Sequence, residues 1–287
     1  MTAEGGGRIK ILRDAAGLRA QVAAWRACGE TIALTPTMGA LHAGHVSLVA
    51  LAKQRARRVV MSIFVNPTQF AANEDFGSYP RTFDADAAKF EAAEGDAIFA
   101  PRVEEIYPEG FATKLNIGGP AIAGLEDRFR LEHFTGVATI VAKLLNQCRP
   151  DVAIFGEKDY QQLQVIQRMV RDLDIDAKIM SAPTIRESDG LALSSRNVYL
   201  SPEERKAAPR LYAALARCAA EIREGLSIEA GLETARASVK SAGFLIDYIE
   251  ARHAESLRPI SSRDDGPIRL LAAVKIGKTR LIDNIAV

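Results

Sequence analysis

Apolar residues along this chain fall into two textures. Up to about residue 183, short apolar runs rich in β-branched residues alternate with stretches whose apolar positions recur at helical spacing. The runs are Thr31 to Leu34, VVMSIFV from Val59 to Val65, AIFA from Ala97 to Ala100, VAIF from Val152 to Phe155, and a segment near Lys178 to Ser181. Between them the spacing predicts helices over LRDAAGLRAQVAAWRACG, ended by Gly29, and around His45 to Arg57, Phe83 to Ala93, Gly136 to Gln147 and Tyr160 to Leu173. Asn66 to Pro80 reads as a loop, and the opening glycines Gly5 to Gly7 read as a frayed end. Strands that are apolar throughout and separated by helices predict a parallel sheet covered on both faces.

After Pro183 the texture changes. A polar loop leads to Ser201 at a helix N-cap with Pro202 at the first helical position, and one long amphipathic helix is expected to follow. A second helix over SIEAGLETARASVKSAG and three strands, FLIDYIEAR, IRLLAAVKIG and TRLIDNIAV, complete an α+β module with antiparallel strands. The expected organisation is a Rossmann-like α/β domain over residues 1–184 and a smaller α+β domain over 185–287, with the boundary near 183 to 186.

Composition adds exclusions. At 287 residues the chain is long enough for a substantial core. With 37 Lys and Arg against 36 Asp and Glu, nothing in the balance calls for a polyanionic partner, so any phosphate chemistry is local. The basic run KQRARR at 53 to 58 is better explained as cations at a helix C-terminus than as an RNA-binding module, since no aromatics are interleaved for stacking. Cys28, Cys148 and Cys218 are far apart and fit a reducing compartment. No apolar stretch reaches membrane-spanning length and no secretory h-region is present, so a cytoplasmic protein without membrane attachment is expected.

The chemistry concentrates at strand ends. PTMGALHAGH, from Pro36 to His45, joins the first predicted strand to a helix and carries two of the four histidines three residues apart. A helix N-terminus at the carboxyl edge of a parallel sheet favours an anion, and two imidazoles on one turn can both address it. A metal pair is opposed by the absence of a third ligand at evident spacing, and a dinucleotide loop by the absence of G-x-G-x-x-G. The bland account is a packed His42 and a helix that merely begins at His45. FVNPTQF places Asn66 and Gln69, neutral hydrogen-bonding amides, past another strand end. GEKDYQQL places Gly156, Lys158, Asp159 and Gln162 at a third junction, and LALSSRN gathers Ser194, Ser195 and Arg196 in the polar loop.

These motifs, with YPRT, HFTGVATIVAKLLN and KIGKTRLIDN, resemble in order the pantoate–beta-alanine ligase family, whose members belong to the nucleotidyltransferases related to class I aminoacyl-tRNA synthetases. The resemblance implies ATP-dependent joining of pantoate to beta-alanine through a pantoyl adenylate, with Mg2+ accompanying ATP and a homodimer as the assembly. It implies that Met38, Gly39, Ala40, Leu41, His42, Ala43, Gly44 and His45 contact ATP, with His45 as proton donor. Gly156, Glu157, Lys158 and Asp159 would bind the nucleotide, Ile185 and Leu193 would meet adenine, and Ser194, Ser195 and Arg196 would clamp phosphate. Pantoate would lie on Gln69, Gln162 and Asn66, with Gln69 also beside beta-alanine. Two stretches depart from the family's usual form: YPRTFDADAAK leaves Asp84 and Asp86 as metal candidates, and FRLEHF stands where RPGHF is common, so that Arg130 and His133 match the family while the turn before His133 is expected to differ.

The rival enzyme reading is another adenylyltransferase of the same superfamily acting on a phosphorylated acceptor. Such a site would need extra cations, whereas Asn66, Gln69 and Gln162 are neutral. The loop from Ile185 to Arg196 is further expected to act as a lid, hinged near Pro183, that excludes water from a hydrolysable intermediate.

Overall fold

The structure, a computed structural model, describes residues 9–71, 74 and 76–287. The glycines at 5 to 7 lie outside the described residues. In chain order the elements are β1 Lys10–Leu12, α1 Ala15–Ala27, β2 Ile32–Thr37, α2 Ala43–Lys53, β3 Arg58–Ile63, α3 Phe83–Ala92, β4 Ala97–Phe99 and the single turn α4 Val103–Ile106. They continue with α5 His133–Cys148, β5 Val152–Gly156, α6 Tyr160–Asp172 and β6 Lys178–Ala182. The remainder is α7 Pro202–Ala207, α8 Arg210–Arg223, α9 Ile228–Ser241, β7 Leu245–His253, β8 Ile268–Ile276 and β9 Thr279–Ala286.

Six strands form a wholly parallel sheet in the order β1-β4-β3-β2-β5-β6. Its central strands are buried along nearly their whole length, as their unbroken apolar runs require. The chain runs outward from β2 through β3 and β4, then crosses back to add β5 and β6 on the other side. The strand order therefore reverses between β2 and β5, where open α/β sheets bind ligands beyond the strands' carboxyl ends. The Asp14 carboxylate caps α1 by accepting from Gly17 N at 2.7 Å. Of the basic run, Lys53 donates to Glu94 O at 2.8 Å, and Arg58 is held at 2.8 Å by both Glu30 and Asp96.

Some element bounds differ from the sequence pattern. The edge strand β1 was not expected, because three residues carry too little alternation to register. Strand β2 runs on through Pro36 to Thr37, and α5 begins three residues before Gly136. The expected long helix is two: Ser201 and Glu204 form a capping box for α7, and Pro209, which has no N–H to donate, interrupts the ladder before α8.

By contacts the chain divides into two compact units, the first containing residues to Ile117, Arg130–Gly156 and Ile166–Ala182. The second contains Gly118–Phe129, Glu157–Val165 and Pro183–Val287, so two segments within 1–184 belong with the C-terminal residues. The three-stranded antiparallel sheet β7-β8-β9 explains why. Along β8, Leu270, Ala272 and Val274 pack with Leu211, Leu215, Ile222 and Leu232 of α8 and α9, while Leu271 and Ala273 pack with Leu125, Tyr248 and Leu257. Side chains alternate across a strand, so both faces are apolar and both must be covered. The second face takes Leu125 and Tyr160 from the two earlier segments as part of its cover.

Candidate active site: two sets of anion-directed groups

In the first unit the chain leaves β2 at Thr37, whose hydroxyl donates to Ser62 O at 2.8 Å and accepts from Gly39 N at 3.2 Å. Gly39 has φ +88°, and a Cβ there would lie 3.1 Å from Asp86 Oδ2 and 3.2 Å from Ile63, so the tight turn requires glycine. Asp86, 1% exposed on α3, accepts from Ala40 N at 2.9 Å and Leu41 N at 2.7 Å. Three residues on and on the same helical face, Lys89 donates to Leu41 O at 2.6 Å. A carboxylate and an ammonium from α3 thus fix three backbone groups of the loop that delivers His42.

His42 is the N-cap of α2, where its Nδ1 accepts from Gly44 N at 3.1 Å, and His45 Nδ1 accepts from His42 N at 3.3 Å. This is a capping box built from two imidazoles in place of the usual hydroxyl and carboxylate. Each Nδ1 is an acceptor, so each neutral ring carries its proton on Nε2 and presents that N–H as a donor. The ring centroids are 4.1 Å apart. No acidic residue of α2's own first turn offsets the positive end of the helix dipole. Two N–H donors on a helix N-terminus suit a phosphate.

The neutral amides are arranged in series. Asn66 is 1% exposed; its Nδ2 donates to Gln69 Oε1 at 3.0 Å and Gly136 O at 3.3 Å, and its Oδ1 accepts from the Tyr107 hydroxyl at 2.7 Å and from Thr68 Oγ1 at 3.0 Å. Burial raises the Tyr107 pKa, which keeps that hydroxyl a donor. Because Gln69 Oε1 accepts, its NH2 is the outward group, and Nε2 donates to Met38 Sδ, a soft acceptor, at 3.2 Å. Asn66 therefore stands behind Gln69 and sets its orientation. Gly136 allows α5 to approach, since a Cβ there would lie 2.3 Å from Thr68 O.

The same loop is held from its other side. His133 Nδ1 donates to Gln69 O at 2.9 Å, so its Nε2 accepts from Arg130 Nη1 at 3.1 Å, and Arg130 donates to both Glu74 oxygens, at 2.6 and 3.0 Å. Burial raises the Glu74 carboxyl pKa, but the Arg130 hydrogen bond and charge, with the Ala71 backbone and His133, together lower it by more, leaving it below its ordinary value. Sequence reasoning missed Tyr107 and Glu74, which lie outside the strand-end motifs that drew attention.

In the second unit, Lys158 and Asp159 sit on a single 3-10 turn, Glu157–Asp159, with Lys158 Nζ 3.8 Å from Asp159 Oδ2. Arg269 Nη2 lies 3.1 Å from Glu157 Oε2, and its guanidinium stacks on the Tyr160 ring at 4.1 Å. The two glutamines of this motif divide their roles. Gln161 is buried and holds the 118–129 segment through Glu126 N, Pro120 O and Asp127 Oδ1, at 2.9, 2.8 and 2.9 Å, while Gln162 is half-buried in the first turn of α6. Ile185 and Leu193 are cross-strand partners, Leu193 N donating to Ile185 O at 2.9 Å around an Arg186 to Ala192 bridge. At the end of this small hairpin Ser194 caps the turn Ser195–Tyr199 by accepting from Arg196 N at 3.3 Å. Arg205 braces the hairpin through Asp189 at 2.6 Å and Glu187 at 2.7 Å.

Asp84 and Asp86, the metal candidates, do not converge. They are two apart on α3, Asp84 exposed and Asp86 buried with both oxygens on loop amides. No group of three or more His, Cys, Asp or Glu able to hold a metal occurs among the described residues.

A doubly wound parallel sheet with an imidazole-capped helix at its switch point defines a nucleotide-handling α/β protein. Residues 10–286 match the family model described as pantoate-beta-alanine ligase. The pantothenate synthetase of Rhodopseudomonas palustris strain HaA2 is 60% identical over 277 residues, covering 96% of this chain and 98% of that one. Pantothenate synthetase 2 of Bradyrhizobium diazoefficiens has the same identity and coverage. Among solved structures, the pantothenate synthetase of Thermus thermophilus superposes with a TM-score of 0.91 at 44% identity, covering 96% of this chain and 99% of that one. The pantoate-beta-alanine ligase of Francisella tularensis, in complex with "Beta-gamma ATP" and beta-alanine, gives a TM-score of 0.80 at 33% identity, with 97% of both chains covered. This chain belongs to the pantoate-beta-alanine ligase family.

Proposed function

We propose that the protein condenses pantoate with beta-alanine, forming pantothenate and converting ATP to AMP and pyrophosphate. The observation that carries the site assignment is the imidazole capping box, which commits both Nδ1 atoms to backbone and so makes each Nε2–H a donor at a helix N-terminus. Full-length family membership and the Francisella protein's complex with "Beta-gamma ATP" and beta-alanine support the choice of substrates.

In the first step a pantoate carboxylate oxygen attacks the α-phosphorus, and the bond to the bridging oxygen of pyrophosphate breaks. No protein nucleophile is needed; alignment and charge stabilisation suffice. His42 and His45 donate hydrogen bonds through Nε2–H to phosphate oxygens, with His45 on the leaving pyrophosphate side. Lys158, Ser194, Ser195 and Arg196 neutralise and hold the triphosphate, Asp159 and Gly156 take the ribose, and Ile185 with Leu193 receives adenine. Gln69, oriented by Asn66, and Gln162 bind pantoate. In the second step the beta-alanine amine, beside Gln69, attacks the acyl carbon and AMP leaves with the former carboxylate oxygen. The 185–196 loop retains the adenylate and keeps water from it.

Mg2+ enters with ATP as part of the substrate, bound chiefly through phosphate oxygens. The protein works in the cytoplasm as a homodimer in this reading. Three free cysteines and the lack of any membrane-spanning helix among the described residues accord with that compartment.

A substrate-omission assay tests the proposal. Pyrophosphate should appear with ATP and pantoate alone, in an amount close to that of enzyme, and AMP and pantothenate should accumulate only when beta-alanine is added. Pyrophosphate release that needs beta-alanine but not pantoate would reject it.

A further inference from the structure

Two adjacent residues of β9 reach opposite faces of the antiparallel sheet, and each ends on a segment assigned to ATP. Asp283 lies on the face covered by α8 and α9, with Leu281, and Asn284 on the other, with Ile282. Both are polar and nearly inaccessible, at 4% and 3% exposure, a placement that costs stability unless every hydrogen-bonding group is used.

Every one is. Asn284 Nδ2 donates to Glu157 O and to Lys158 O, both at 2.9 Å, and its Oδ1 accepts from Arg269 Nε at 2.7 Å. The amide thus grips the two consecutive carbonyls of the turn from which Lys158 projects. Asp283 binds Arg186 through both oxygens, at 2.7 and 2.8 Å, and also accepts from Asn284 N at 2.7 Å. Arg186 stacks on Tyr212 at 3.7 Å, and it also donates to Gly190 O at 3.1 Å. Its backbone follows Ile185 and itself pairs with Ala192 in the bridge that leads to Leu193, Ser194 and Arg196.

We infer that Asp283 and Asn284 are a positioning pair for the nucleotide, fixing Lys158 from one face of the sheet and the Ile185 to Arg196 hairpin from the other. Both side chains are buried and fully engaged by protein groups, so the pair acts through the segments it holds. The pair makes one strand the common reference for two groups that hold the same triphosphate. This inference rests on the ATP-binding roles proposed above.

Asn284→Asp is nearly isosteric but replaces two N–H donors with a carboxylate facing two carbonyls. ATP affinity, read by calorimetry on the full chain, should fall about tenfold, the scale of one or two hydrogen bonds. KM for pantoate should stay within about twofold. The decisive readout is a cycle with Lys158→Ala. If Asn284 acts through Lys158, Asn284→Asp should cost less than about twofold in that background; an equal loss in both backgrounds, or no loss in either, overturns the inference. Asp283→Asn, cycled with Arg196→Ala, gives the same reading should Asn284→Asp fail to fold by circular dichroism. A parent protein that binds ATP without releasing pyrophosphate on adding pantoate rejects the ligase reading while the affinity cycle still decides this one. A parent that does not bind ATP rejects both.

Discussion

The two sets of groups proposed to hold phosphate are positioned by different means. The imidazoles of the first unit are placed from nearer along the chain: His42 and His45 cap each other's turn three residues apart, and Asp86 and Lys89 brace the loop from 45 to 48 residues away. The Lys158 turn and the Ile185 to Arg196 hairpin are placed by a strand 97 to 127 residues distant, through Asp283 and Asn284. In the first unit a side chain fixes backbone amides next to the two imidazoles. In the second, arginines and an amide tie whole segments to a sheet. Damage to the first set should therefore stay local, whereas damage to the second should move several nucleotide contacts together.

The largest expected effects come from removing the groups themselves. His45→Ala and Lys158→Ala should each lower the rate of adenylate formation by about 10²-fold or more, the scale of losing one preorganised charge-stabilising group. Circular dichroism should be unchanged; an unfolded variant would return that residue to a structural role. Next in size, Asp86→Ala leaves Ala40 N and Leu41 N without their acceptor. It should cost about 2 kcal/mol in urea denaturation and lower kcat/KM at least about tenfold while hardly altering pantoate KM. Full activity with a lowered urea midpoint would show that the loop does not need its brace.

These differences in range decide how much was legible in the sequence. The alternation of strands and helices, the antiparallel module and the histidine motif could be read because their signals lie within a few residues: apolar period, Ser201 before Pro202, two histidines on one turn. Family resemblance named Gln69 and Gln162, and the family match bears out the activity it implied. Asp86 was noticed for its charge, but its use on loop amides was not foreseen, since a metal and a pair of amides ask the same of a carboxylate. The break at Pro209 was present in the sequence and was overridden by an amphipathic period that continues through it. The capture of 118–129 and 157–165 by the second unit left no local mark. It follows from the far face of the β7-β8-β9 sheet, whose need for cover appears only once Leu271 and Tyr248 are known to share a face.

Smaller effects are expected at Gln69 and Glu74. Gln69→Ala should raise the KM for pantoate about tenfold by stranding substrate groups, with ATP affinity close to the parent's. Unchanged pantoate kinetics would remove Gln69 from that role. The smallest effect concerns Glu74 and Arg130. With the folded carboxyl pKa lowered, the pair's contribution is present above the ordinary glutamate pKa of about 4.3 and is lost as pH falls through the lower folded value. Glu74→Gln should therefore flatten the acid limb of the stability curve, measured by thermal melts between about pH 6 and pH 3, and leave the neutral limb nearly parallel to the parent's. An acid limb as steep as the parent's would contradict it.

The proposed chemistry turns on attack of the pantoate carboxylate on the α-phosphorus of ATP. Pantoate labelled with 18O in both carboxylate oxygens tests this directly when one full reaction is run with beta-alanine and the products are weighed by mass spectrometry. One labelled oxygen should appear in AMP and the other in the amide carbonyl of pantothenate. Label found in inorganic phosphate, or absent from AMP, would contradict the account.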